Sequence, residues 1–254
     1  MDDLLRATSR AEARHFWFRG FRWFVQPLVR QALGGAGHAR SLDCGCGTGA
    51  NLALLSPFGA AYGFDLSDLG LEIARQRGRR GLARASTAAI PFASAYFDLV
   101  TSFDVLYALD EPDERAAVAE LFRVTRPGGH AIVNVAAMPI LRGDHSILSH
   151  ERRRYSRGSL STLLTTAGFR IVRITYTNAA LFLPLLAVRA FHRARGFSSE
   201  ADATAEISVP AAPVNAVLSA MLWLESLWVN AGGASPFGSS LLCLARKPED
   251  ANRR

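Results

Sequence analysis

The stretch LDCGCGTGAN, residues 42–51, limits the possible folds more than any other, because it sets Gly45, Gly47 and Gly49 two apart behind a short apolar run. Glycine is costly in regular backbone, so this spacing marks a turn in which any Cβ would collide with a neighbour or a ligand. The residues around it alternate in period. HARSLDCG reads as a strand, ANLALLSPF as a short helix, AAYGFD as a second strand, and SDLGLEIARQRG as a helix capped by Ser67. Further strands are expected at LARAS, FDLVTSF, HAIVNVAA after the turn RPGG, RIVRITYT and SSLLCLARK. Helices are expected at DERAAVAELFRVT and at SRGSLSTLLTTAGF, the latter closed by Gly168. Strands alternating with helices imply a mostly parallel sheet with helices on both faces. In such a sheet the first glycine turn lies at the carboxyl edge, where nucleotides bind.

The turn itself discriminates among nucleotides. A dinucleotide fingerprint GxGxxG would place glycine at position 50, and Ala50 is a permitted substitute there. Asp43 ahead of the first glycine and the additional Gly49 make DxGxGxG instead, which argues against NAD. The chain also has a single lysine, Lys247, and no Tyr-x-x-x-Lys pair.

Bulk properties exclude other classes. A chain of 254 residues, 49% hydrophobic and 20% charged, suits one large α/β domain. The three cysteines, Cys44, Cys46 and Cys243, are too few and too oddly spaced for a disulfide framework or a four-ligand zinc site, so no metal is expected. The N-terminus MDDLLRATSR lacks the basic and then apolar pattern of a signal peptide, and the expectation is a cytoplasmic protein. The net charge of +7 comes almost wholly from scattered arginines, which disfavours nucleic acid as a partner.

Four segments in order resemble the class I S-adenosylmethionine-dependent methyltransferases: DCGCGTG, GFDLS at 63–67, IPFASAYFDLVTSFDVL at 90–106 and LFRVTRPGGHAIV at 121–133. The resemblance implies a Rossmann-like seven-stranded sheet and S-adenosyl-L-methionine as cofactor. It implies that Gly45, Cys46, Gly47 and Gly49 pass under the methionine part, that Asp43 orders the loop and reaches the ammonium, and that Asp65 accepts both ribose hydroxyls, a carboxylate having two oxygens for a diol. Leu66 would lie against adenine, with Ser86, Thr87 and Phe103 completing the cofactor site. Ser86 stands where relatives often carry an acid. Where relatives read DVLEH this chain reads DVLYA, so Tyr107 and Ala108 replace the acid and the histidine.

Candidate catalytic residues are His145 and His150 in GDHSILSHERRRYS, together with Tyr107; a histidine can serve as base near neutral pH. Candidate substrate-binding residues are His15 and Trp17 in the aromatic–arginine stretch RHFWFRGFRWFV, and Arg152 and Tyr155. The organisation expected is an N-terminal helical cap over 1–36, a cofactor-binding core over 37–176, an apolar helical insert covering the substrate over 177–236, and a last strand and tail over 237–254. The insert opens with thirteen nearly uncharged residues, 178–190, and could roof a pocket, dimerise or lie on a membrane.

The expected activity is methyl transfer to a small or lipid-like acceptor, on oxygen, of the kind found in saccharide or natural-product clusters. Methylation at carbon or nitrogen and a non-catalytic cofactor-binding subunit are the alternatives. Peripheral membrane contact, a monomer and a homodimer all stay open.

Overall fold

The computed structural model describes residues 2–35, 37–141, 151–184, 186 and 208–249. In chain order the helices are α1 (Asp2–Ala11), α2 (Phe16–Leu33), α3 (Leu52–Leu55), α4 (Asp68–Gln76), α5 (Glu111–Val124), α6 (Arg157–Thr166) and α7 (Ala212–Asn230). The strands are β1 (Ala39–Cys44), β2 (Gly59–Asp65), β3 (Leu82–Arg84), β4 (Phe97–Phe103), β5 (Thr125–Ala136), β6 (Arg170–Thr177) and β7 (Ser240–Arg246). They form one seven-stranded sheet in the order β3-β2-β1-β4-β5-β7-β6. All pairings are parallel except those of β7, which runs antiparallel to β5 and β6. The order reverses between β1 and β4, so a crevice opens beyond the carboxyl ends of those strands.

Local chemistry accounts for the helix starts. Ser67 accepts from Gly70 N at the head of α4, Asp110 from Asp113 N at α5, and Ser156 forms a reciprocal capping box with Ser159 at α6. Gly168, at φ +104, ends α6 where a Cβ would stand 2.8 Å from the Phe122 ring. Two details depart from expectation. The residues SPF form a separate 3₁₀ turn, Ser56–Phe58, after α3. The RPGG segment belongs to β5, entering it beside a register shift between Phe97 and Leu99.

Alternate residues of each central strand feed two cores, one per face. Leu42, Val100, Val133 and Cys243 pack with Val118 and Leu121 of α5 and Leu160 and Leu164 of α6. Leu99, Ile132 and Leu244 pack with Phe24, Val25, Leu28 and Val29 of α2 and Leu222 and Val229 of α7. Each such side chain contributes about 1.5–3 kcal/mol. Leu222 seats directly on Gly20 of α2, where any Cβ would overlap its Cδ1.

The α7 helix is mostly apolar, and by length and composition it could cross a membrane, with a mean hydropathy of 1.3. Leu222 and Val229 are buried, whereas Val217, Trp223, Leu224, Leu227 and Trp228 are exposed. Its foot is tied down by Glu225, which accepts from Ala179 N and Ala180 N.

Candidate functional site

At the end of β1 the chain turns through Gly45 (φ +76), Gly47 (φ +49) and Gly49 (φ +71), a run of left-handed backbone that disfavours any other residue. The three glycines serve different ends. A Cβ on Gly45 would overlap Val105 Cγ2, and one on Gly49 would stand 2.8 Å from Ala74 Cβ, so these two allow the protein to pack on itself. At Gly47 the nearest atom is Leu5 Cδ2, 3.9 Å away, and this glycine gives the loop its open face.

Two carboxylates organise the turn. Asp65, at the end of β2, accepts from Gly47 N (2.7 Å) and Ser67 N (2.8 Å), one on each oxygen. Asp43 is 1% exposed; its Oδ1 accepts from Thr101 Oγ1 at 2.6 Å. Its Oδ2 has no partner among the described residues. Burial pushes the Asp43 carboxyl up to about 7, opposed by the Thr101 bond and assisted by Asp65. Burial first, then Asp43 and Asp65, likewise holds the Cys46 thiol in its neutral form.

Beside the loop lies a cavity of about 160 Å³ whose lining includes Gly45, Cys46, Gly47, Trp17, Phe21 and Phe103. The α1 and α2 helices form its outer wall through Leu5, Thr8, Glu12, Phe18 and Arg22. Phe21 meets Phe103 edge to face at 5.0 Å. Glu12 latches the wall to the loop: it accepts from Thr48 Oγ1 at 2.8 Å and pairs with Arg77, which also donates to Thr48 O and Ser9 O.

Asp104, also in the lining, follows β4 at φ +59. It is exposed toward the cavity, and desolvation by the surrounding protein raises its carboxyl above the ordinary carboxylate range. A 3.0 Å bond from Asn134 Nδ2 and the charge of Arg154 oppose that rise, and Glu151 adds to it.

Residues 42–133 match the methyltransferase domain family Methyltransf_11. A probable S-adenosylmethionine-dependent methyltransferase of Mycolicibacterium smegmatis is 29% identical over 161 residues, 62% of this chain and 60% of the relative. The malonyl-[acyl-carrier protein] O-methyltransferase of Enterobacter lignolyticus is 35% identical over 139 residues, 50% of this chain and 53% of the relative. Among solved structures, the putative methyltransferase in complex with the Haloferax volcanii Trm112 methyltransferase activator superposes with a TM-score of 0.61. It is 17% identical, with 98% of this chain and 96% of that one covered. The chain carries a class I S-adenosylmethionine-dependent methyltransferase domain. It spans between about a quarter and three-fifths of the length of the curated relatives it matches.

The methyltransferase domain offers chemistry that fits the cofactor. Asp43 Oδ2 is a buried acceptor with no protein donor, the open face of Gly47 admits close approach, and each Asp65 oxygen keeps a lone pair beyond its backbone bond. Leu66, 61% exposed, follows Asp65 as an apolar shelf. Ser86 accepts from Ala88 N and Thr87 is buried nearby in sequence. Of the expected cofactor residues, Gly45, Cys46, Gly47 and Phe103 line the cavity. Asp43, Gly49, Asp65, Leu66, Ser86 and Thr87 lie outside its lining.

The expected substrate and catalytic residues divide sharply. Trp17 lines the cavity, but His15 does not: its Nδ1 accepts from Trp17 N and caps α2, and its ring is buried against Phe16 and Phe18. Burial lowers its pKa, which disfavours a charged role. Tyr155 is likewise corrected. It is 3% exposed, its hydroxyl bonds Glu114, and its pKa is raised by burial and then by that carboxylate. Arg153 joins Glu114 at 2.7 Å, and Arg154 joins Glu151 through two bonds. Arg152 lies in this same strut, with its backbone N bonded to Tyr107 O, and Tyr107 packs on the α5 side of the sheet away from the cavity. His145 and His150 lie outside the described residues. Of the expected cover over 177–236, the described residues add none to the cavity lining and α7 packs on α2, while residues 187–207 lie outside the described residues.

Sequence reasoning missed Glu12, Phe18, Phe21, Arg22 and Asp104. The spacing 17, 18, 21 and 22 is one stripe of a helix and could have revealed four of the wall residues. Asp104 shows no local signal beyond its place after a strand.

Proposed function

We propose that this chain transfers the methyl group of S-adenosylmethionine to a small or lipid-like acceptor, at an oxygen atom. The observation that carries this reading is an aromatic cavity beside the glycine loop whose lining also holds the Asp104 carboxyl, 3.0 Å from Asn134 Nδ2. The bound cofactor supplies a sulfonium methyl group open to in-line attack. In this reading Asp43 takes the cofactor ammonium through Oδ2, Asp65 takes the ribose diol, and Leu66, Ser86 and Thr87 face the adenine end. Trp17, Phe18, Phe21 and Phe103 exclude water and favour an apolar acceptor. Positioning of this kind is worth up to about 7–11 kcal/mol of a barrier. Asp104, once ionised, accepts the hydroxyl proton of the acceptor; a carboxyl raised toward the working pH suits that task. His145 and His150 stay as rival bases. Oxygen is favoured by the similarity to an O-methyltransferase that acts on a malonyl carrier protein.

The exposed Trp223, Leu224, Leu227 and Trp228 of α7 support a lipid-like acceptor met at a membrane surface, an arrangement suited to a cytoplasmic protein. The test is transfer of labelled methyl from S-adenosylmethionine into host extracts, partitioned between organic and aqueous phases, with wild type and Asp104→Asn. Label in the organic phase, reduced about a hundredfold or more by the substitution, is expected. Label only in the aqueous phase would remove the lipid-like acceptor. Full transfer by Asp104→Asn would remove Asp104 as base, and cofactor binding without any transfer would favour a non-catalytic subunit.

A further inference from the structure

Among the described residues three charged groups line the cavity, and two of them are already engaged. Glu12 is spent on Arg77 and Thr48, and Asp104 is hydrogen-bonded by Asn134. The third is Arg22. Its one hydrogen bond among the described residues runs from Nη1 to Glu12 O at 3.0 Å, a main-chain carbonyl with no charge to offset the guanidinium. The rest of the fork is left to the cavity. Burial lowers its pKa, as does nearby Arg19, and Glu12 only partly compensates. A half-buried cation without a paired anion is costly unless a ligand completes it.

We propose that Arg22 binds a carboxylate in this cavity. A guanidinium fork matches the planar two-oxygen edge of a carboxylate, and one unpaired positive charge balances one negative charge. A doubly charged phosphate would face Glu12 and Asp104 with, among the described residues, only this cation in the lining to hold it. The cavity touches Gly45 and Gly47 on one side and the aromatic stripe of α2 on the other, so the carboxylate has two possible sources. It belongs either to the amino-acid tail of the cofactor or to the acceptor. The inference rests on the reading that the glycine loop holds S-adenosylmethionine.

The test is calorimetric titration of the full chain, as wild type, Arg22→Met and Arg22→Lys. The probes are S-adenosylhomocysteine, which carries the amino-acid tail, and 5′-methylthioadenosine, which lacks it. Benzoate is then titrated alone and into the S-adenosylhomocysteine complex. If the cofactor supplies the carboxylate, Arg22→Met weakens S-adenosylhomocysteine by about ten- to a hundredfold, leaves methylthioadenosine unchanged, and Arg22→Lys recovers part of the loss. If the acceptor supplies it, both nucleosides bind as in wild type and benzoate binding is lost. Equal weakening of both nucleosides would make Arg22 a wall support only, and no change with any probe would equally overturn the proposal. A wild type that binds neither nucleoside would defeat the loop reading instead, and benzoate alone would then decide the role of Arg22.

Discussion

Residues 14–23 set arginines among aromatic rings and residues 151–155 set them between Glu151 and Tyr155, yet Arg22 faces a cavity while Arg153 and Arg154 are held by Glu114 and Glu151. In the second segment Glu114 also takes the Tyr155 hydroxyl, so the charges are consumed within the fold. At the cavity end the reverse holds. Asp43 Oδ2 and most of the Arg22 fork have no partner among the described residues. Unsatisfied buried groups lower stability and persist where something else completes them, whereas satisfied ones act as struts. Richness in charge therefore says less about a site than charge left over.

The largest test of this contrast is pH. Asp43 titrates at about 7 in the folded chain against an ordinary 3.8, so between those values the folded state keeps a proton that the unfolded state has released. Its contribution to stability must fall as pH rises from about 4 to about 7, by roughly 4 kcal/mol, and stay flat above. Asp43→Asn should flatten that part of the urea-denaturation profile; equal slopes in both proteins would break the account of an unsatisfied acid.

Next in size, Glu114→Ala should cost about 3 kcal/mol, because Tyr155 and Arg153 lose their shared partner. The lower end applies since Arg153 keeps 31% of its side chain in water. Affinity for S-adenosylhomocysteine measured on the folded fraction should be unchanged, and a parallel loss would turn the strut into part of the site. Smallest is Asp65→Ala, which should weaken S-adenosylhomocysteine by about 1.5–3 kcal/mol in calorimetric titration. An unchanged affinity in a folded variant would confine Asp65 to holding Gly47 and Ser67.

Much of the fold was legible because its signals are local. FDLVTSF and RIVRITYT coincide with β4 and β6, and Ser67 caps α4 as its position suggests. The glycine turn was legible as a site, but not the division of labour within it, since the atoms that exclude a Cβ from Gly45 and Gly49 come from Val105 and Ala74. The strut at 151–155 looked like a ligand site because its partner Glu114 lies 41 residues from Tyr155 in the chain. His15 looked chemical because histidine is an unusual helix cap, and only the fold shows Nδ1 turned to Trp17 N. Asp104 was invisible for a similar reason: its φ of +59 and its bond to Asn134 depend on β4 and β5 lying side by side.

Glu12 links the two halves of the cavity wall through different atoms. Its carboxylate grips Thr48 and Arg77 on the loop side, and its main-chain oxygen receives Arg22 on the helix side. Strain applied to either grip is therefore felt by the other, so the loop and the guanidinium form one thermodynamic unit in which losses at Arg77 and Arg22 do not simply add.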